Sequence, residues 1–171
     1  FTSGKNDRSE IDSKDQMNLP SSKIDNNLIK DLKYEINIDE INKYTITSDL
    51  GEITFNEKGQ EIIEMRMAKA IFLGQSNIPL IIQSDFASYN TFNQNTKFFQ
   101  NVNIKYLDKV ISSEKMNFDF EKNLLTVNEN VIYEDVNGNM MTDNIEINLI
   151  TKEIEIYMNS NQDDIEIKKN Y

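Results

Sequence analysis

The sequence predicts an all-β fold, in which antiparallel hairpins stack into an elongated, twisted body with one apolar inner face. Three observations predict it. From Leu28 onward, apolar side chains recur at every second position, which is the period of a half-buried strand. Short polar segments rich in Asn, Lys and Gly separate these runs, as hairpin turns do. The runs also repeat. Ser84-Asp85, Ser113-Glu114 and Thr142-Asp143 lie 29 residues apart, and a fourth copy, Ser48-Asp49, lies 36 residues before the first of them. Units that recur in this way and bury one face only against their neighbours build a continuous lining.

The elements follow in order. Residues 1–26 are polar, with isolated apolar side chains, and read as a linker or tail that buries too little to offset the entropy of ordering. A single domain is expected over 27–171. Ile24, Leu28, Ile29 and Leu32 also fit one helical face, so a short helix over 24–33 competes with a strand there. Tyr34, Ile36 and Ile38 alternate, as do Tyr44 and Ile46. Ser48-Asp49 then precede Gly51, Ile53 and Phe55, and "NEKG" supplies a turn ending at Gly59. Ala68, Ala70 and Phe72 fall like Val102, Ile104 and Tyr106 later on, and "LGQSNIP" is a longer loop. Within the 29-residue unit, Ala87, Met116 and Ile145 correspond, as do Tyr89, Phe118 and Ile147, then Thr91, Phe120 and Leu149. Asn101, Asn130 and Asn159 close the unit. Asn137-Gly138 marks a hairpin between two apolar runs.

Composition narrows the function. The chain has 171 residues, and its 18 basic against 29 acidic side chains give a net charge of −11. Such a surface offers no basic footprint for nucleic acid and no polybasic grip on anionic headgroups. It has no cysteine and no histidine, which removes disulfides, thiolate chemistry and the commonest general base. No cofactor, metal or catalytic residue is expected. Asp135, Asn137, Asn139 and Asp143 resemble a calcium loop only faintly, because the glycine is misplaced. Glu114, Asp119 and Glu121 have no spacing that fixes a glycosidase pair. Tyr89, Phe99 and Tyr106 are candidate sugar-stacking rings for a carbohydrate-binding or adhesin module.

The stretches "YTITSDLGEI", "IIQSDFASYN" and "FFQNVNIKY" resemble the OstA-like repeats of lipopolysaccharide-export proteins. The opening "LIKDLKYEINIDEINKYTITSDLGEI" resembles the LptC family in particular, and the similarity runs over about residues 28–160. Where that pattern often has glycine before its valine step, this chain has Asn101 and Asn130. Where it has alanine before the acid, this chain has Ser48, Ser84, Ser113 or Thr142.

The resemblance implies a twisted β-jellyroll with an internal hydrophobic groove that carries lipopolysaccharide by its acyl chains. It implies a periplasmic domain held at the inner membrane by an N-terminal helix that this chain does not include. The implied partners are the inner-membrane ABC transporter subunits and another β-jellyroll protein, joined by edge-strand pairing. A soluble LptA-like bridge protein is the nearest alternative. The expected groove residues are Ile36, Ile46, Ile53, Phe55, Tyr89, Val102, Ile104, Phe118, Phe120, Val131, Ile147 and Leu149. The expected docking edges are the stretch 34–46, with Tyr34, Ile36 and Ile38, and the last strand, with Ile165 and Ile167.

Overall fold

The computed structural model describes residues 27–159 and the backbone of Ile167–Asn170. Ten antiparallel strands form one meander, each bonded to the next in chain order. They are β1 (Leu28–Asn37), β2 (Lys43–Phe55), β3 (Glu61–Leu73), β4 (Leu80–Asn90) and β5 (Thr96–Tyr106), followed by β6 (Lys109–Asp119), β7 (Leu124–Asp135), β8 (Gly138–Asn148), β9 (Glu153–Tyr157) and β10 (Ile167–Asn170). The sheet is open, with β1 at one end and β10 at the other. No helix among the described residues is long and apolar enough to cross a membrane. Residues 28–33 lie in β1, so the helical reading of 24–33 fails there: pairing with β2 decides over the local spacing. Residues 24–26 lie outside the described part.

The repeated Ser-Asp pair stands in the middle of a strand, where sequence spacing had suggested that it precedes one. Along each half-strand the buried positions are two apart, and at the middle they jump. Ser48 and Gly51, Ser84 and Ala87, Ser113 and Met116, and Thr142 and Ile145 are buried three apart. On the intervening strands, Phe98 and Val102, and Val127 and Val131, are buried four apart.

The backbone shows the cause. Gln100 and Asn101 in β5, and Glu129 and Asn130 in β7, all have φ between 51° and 65°, and the ladder slips at both places. Asp31 in β1 and Met67 in β3 carry the same left-handed twist singly. These are β-bulges, which bend a strand while keeping its apolar set on one face.

The small hydroxyl residues serve the bend. Ser84 Oγ donates to the Phe86 carbonyl at 2.7 Å and Ser113 Oγ to that of Lys115 at 3.1 Å; Thr142 Oγ1 donates to that of Tyr157 at 2.7 Å. The acids and asparagines tie neighbouring bends together. Asn101 Nδ2 donates to Asp85 at 2.6 Å, and the Asn159 amide donates to Asp143 at 2.5 Å.

Bending β1 to β8 at their middles folds the sheet into two walls. The first wall holds 33–37, 43–48, 68–73, 80–84, 102–106, 109–113, 131–135 and 138–142. The second holds the other strand halves together with β9 and β10. Contacts between strands that are not neighbours show that the walls face each other. The Tyr34 and Tyr89 rings, from β1 and β4, are 5.0 Å apart, and so are those of Tyr44 and Phe118, from β2 and β6. The sheet is thus consistent with an elongated β-jellyroll.

Two turns show how the chain reverses. Asn56 Oδ1 accepts from the Lys58 and Gln60 amides, and Gly59 has φ 74°, a value that suits glycine. At the other predicted hairpin the turn is one residue earlier than the Asn-Gly pair. Asp135 pairs with Gly138, so Val136 and Asn137 form the tip, and Asp135 Oδ1 accepts the Asn137 amide at 2.8 Å. Asp135 thereby takes the role of a turn cap.

Candidate functional site

The space between the walls is the candidate site. It is lined by the inner positions of nearly every strand, and each wall supplies the cover for the other. Most of the predicted groove residues meet there. Ile46, Tyr89, Val102, Ile104, Phe118, Val131, Ile147 and Leu149 are at most 3% exposed. Ile36, Ile53 and Phe120 are half-buried and pack against that cluster. Phe55 departs from the set: it is 68% exposed, at the end of β2 beyond the facing wall. The alternation that places it on the inner face continues past the point where anything covers it.

The expected groove set left out several of the largest buried side chains, among them Leu32, Tyr44, Met65, Phe72, Ile82, Phe98 and Met116, although the repeat had matched Met116 with Ala87 and Ile145. Their alternation was visible for Tyr44 and Phe72, but not which of many apolar positions would lie deepest. Burying one such side chain is worth about 1.5–3 kcal/mol, so the walls hold together mainly by these contacts.

The interior is a filled, almost wholly apolar core, and its few polar atoms are only partly matched: Tyr34 Oη and Ser48 Oγ are buried without a hydrogen-bond partner. Tyr44 Oη and Thr96 Oγ1 lie 3.2 Å apart, bridging the walls in the interior. Burial pushes the Tyr44 phenol well above its usual range. Tyr34 is pushed up to about 12, by burial first and by the Glu61 carboxylate second. Ser48 differs in this from its counterparts at the other bends. Among the described residues the interior offers chiefly packing surface.

The two rims, where the hairpin turns lie, are the side of the trough not closed by a bend. The rims carry exposed apolar side chains: Ile41, Phe92, Leu107, Val136 and Ile150 are each at least 43% exposed. A cavity of about 200 Å³ opens beside the β7–β8 turn, with Tyr133, Met140 and Ile156 in its lining. Across the rims, Lys152 in the β8–β9 turn places its ammonium 4.7 Å from the centre of the Phe72 ring and 5.8 Å from that of Tyr106. No sequence signal marked Lys152.

The expected docking edges are placed only in part. β1 is an end strand, but its edge is Leu28–Asn37; residues 43–46 belong to β2 and are paired on both sides. Ile38 lies in the β1–β2 turn, where its amide donates to the Asn42 carbonyl at 2.8 Å. The side chains of Tyr34 and Ile36 pack toward the core, so what the edge offers is backbone. Ile167 begins β10, at the opposite end, and Ile165 lies outside the described residues.

The competing constellations are dispersed. Tyr89 and Tyr106 are buried at 3% and 8% exposure, which removes them as sugar platforms, while Phe99 stacks on Phe86 at 5.8 Å on the outer face. Asp119 accepts the Lys122 amide at 3.1 Å as a turn cap, and Glu114 and Glu121 are exposed. No protein-family model matches the chain, and no curated protein matches it in sequence.

Proposed function

We propose that this chain is a periplasmic component of a lipopolysaccharide transport bridge, of the LptC type and without enzymatic activity. It accepts the lipid from inner-membrane ABC transporter subunits and passes it to another β-jellyroll protein by edge-strand pairing. An N-terminal helix beyond this chain holds it at the inner membrane. The observation that carries this reading is the open sheet, bent over an apolar interior, whose end strands β1 and β10 each pair on one side only among the described strands. The repeated small-hydroxyl-plus-acid pair supports it further, because it sits at the bends that create the trough.

The physics suits the task. An acyl chain of a dozen carbons gains on the order of 10 kcal/mol when it leaves water, at about 0.8 kcal/mol per methylene. That gain offsets the parting of two walls that otherwise cover each other. Contacts of this kind are non-directional, so a chain slides without a fixed register. The exposed apolar residues on the rims would meet a chain on its way in, and sugars and phosphates would stay outside. A surface of net charge −11 gives an anionic headgroup no broad basic patch to stick to.

The test is photo-crosslinking. A benzophenone amino acid replacing Ile104, Phe118 or Ile147 should capture lipopolysaccharide when the purified protein is loaded. The same group at the outward positions Lys97 or Asn117 should not. Equal capture inside and outside, or none at either, rejects the proposal.

A further inference from the structure

Core packing holds the walls together, and one further contact spans the rims where that packing ends. We propose that Lys152 is a clasp there, and that its ammonium is the docking point for the anionic head of an amphiphile whose chain enters between the rims. This inference rests on the trough reading and names the headgroup chemistry of the same site.

The turn that carries Lys152 is braced by its own hydrogen bonds. Asn148 Oδ1 accepts the amides of Ile150 and Thr151, both at 2.9 Å, and the Asn148 carbonyl accepts the Lys152 amide at 2.9 Å. Lys152 itself has φ 63°, a left-handed backbone that lysine seldom adopts without such support. The turn thus aims its side chain at the opposite wall. There the ammonium lies against the Phe72 and Tyr106 rings, in a cation–π arrangement.

The opposite rim makes room for it. Gly74 is buried, and a methyl group in place of its hydrogen would stand 3.6 Å from Lys152 Nζ and 3.0 Å from Asn42 Oδ1. Asn42 is itself fixed, with its amide and side-chain nitrogen both donating to Asp39 at 2.7 Å. An ammonium, a carboxamide and a glycine backbone therefore converge at the seam.

The charge environment selects the ligand. Lys33 and Lys115 each lie 2.7 Å from a carboxylate, whereas what marks Lys152 is the pair of ring faces it rests on. Lys152 is half-buried on ring faces, and burial lowers its pKa. On so acidic a chain, an ammonium held on rings is the natural place for a phosphate or carboxylate brought by a ligand. A charged hydrogen bond there is stronger than a cation–π contact at a half-exposed site. Binding the anion therefore pulls Lys152 from the rings and frees the rims to part.

The experiment compares three probes by calorimetry on the folded protein: dodecyl phosphate, dodecyl maltoside and inorganic phosphate. The wild-type chain should bind dodecyl phosphate about tenfold more tightly than dodecyl maltoside, the gain of one charged hydrogen bond. Lys152→Gln should bring the two detergents within about threefold of each other, and Lys152→Arg should restore most of the preference. Inorganic phosphate should not compete. Equal affinities in the wild type, or a preference that survives in Lys152→Gln, overturns the headgroup site and leaves the trough standing. Inorganic phosphate binding as well as dodecyl phosphate makes this a free-anion site and overturns the clasp. If neither detergent binds, the trough reading fails, and this inference fails with it.

Discussion

At the scale of single residues, the bends depend on side chains that tolerate unusual backbone. Asn130 has φ 54° in the middle of β7, and a β-branched side chain there meets the steric penalty of the left-handed region. Asn130→Val should lower stability by about 1–2 kcal/mol and Asn130→Gly should be near neutral, as read by urea unfolding. A valine variant as stable as wild type would show that this bend carries no such constraint. Tyrosines supply a second residue-level prediction. An unfolded tyrosine loses its proton near pH 10, whereas Tyr34 and Tyr133 hold theirs to about 12, chiefly through burial. Between those values the unfolded chain binds fewer protons, so stability is intact below pH 10 and falls as pH rises toward 12. Tyr34→Phe should flatten that fall in melts taken between pH 9 and 12. The aptitude of Asn101 and Asn130 for this backbone was legible in the sequence. That they bend a strand at its middle was not, because a jump of three or four in the buried register looks like the end of one strand and the start of another. Lys152 was illegible altogether: its role comes from a turn meeting two rings that lie 46 and 80 residues away in the chain.

At the scale of elements, the period-two pattern made most strands readable, and the 29-residue repeat made their stacking readable. What the pattern could not give was the pairing of walls, because β1 facing β4 and β2 facing β6 are contacts that no local spacing encodes. The edge reading shows the same limit. The end position of β1 holds, but Tyr34 and Ile36 turn their side chains into the body, so edge pairing would use the β1 backbone. The wall-to-wall contact is measurable. Tyr44 and Phe118 should couple by about 0.5–1.5 kcal/mol in a double-mutant cycle with leucine replacements, although their strands are not neighbours in the sheet. A coupling near zero would mean that these walls do not pack through these rings. Small residues permit close packing within a wall as well. A methyl at Gly51 would stand 3.1 Å from Leu32 Cδ2 and 3.3 Å from Ile63 Cγ2, which leaves little room for even alanine there.

At the scale of the whole molecule, one sheet serves as both container and cover. Bends close one long side, packing closes the middle, and the rims meet on the other side with Lys152 laid across them. The interior is filled by its own side chains, so the proposed lipid uptake would require the rims to separate; this is the central claim of the proposal. The direct measurement places spin labels at Gln75 and Thr151, exposed residues on the two rims beside Gly74 and Lys152, and records their separation by pulsed electron resonance. The account predicts one short distance in the empty protein and a longer one when lipopolysaccharide is bound. Bound lipid with the distance unchanged would contradict it, because the chain would then lie somewhere other than between the walls.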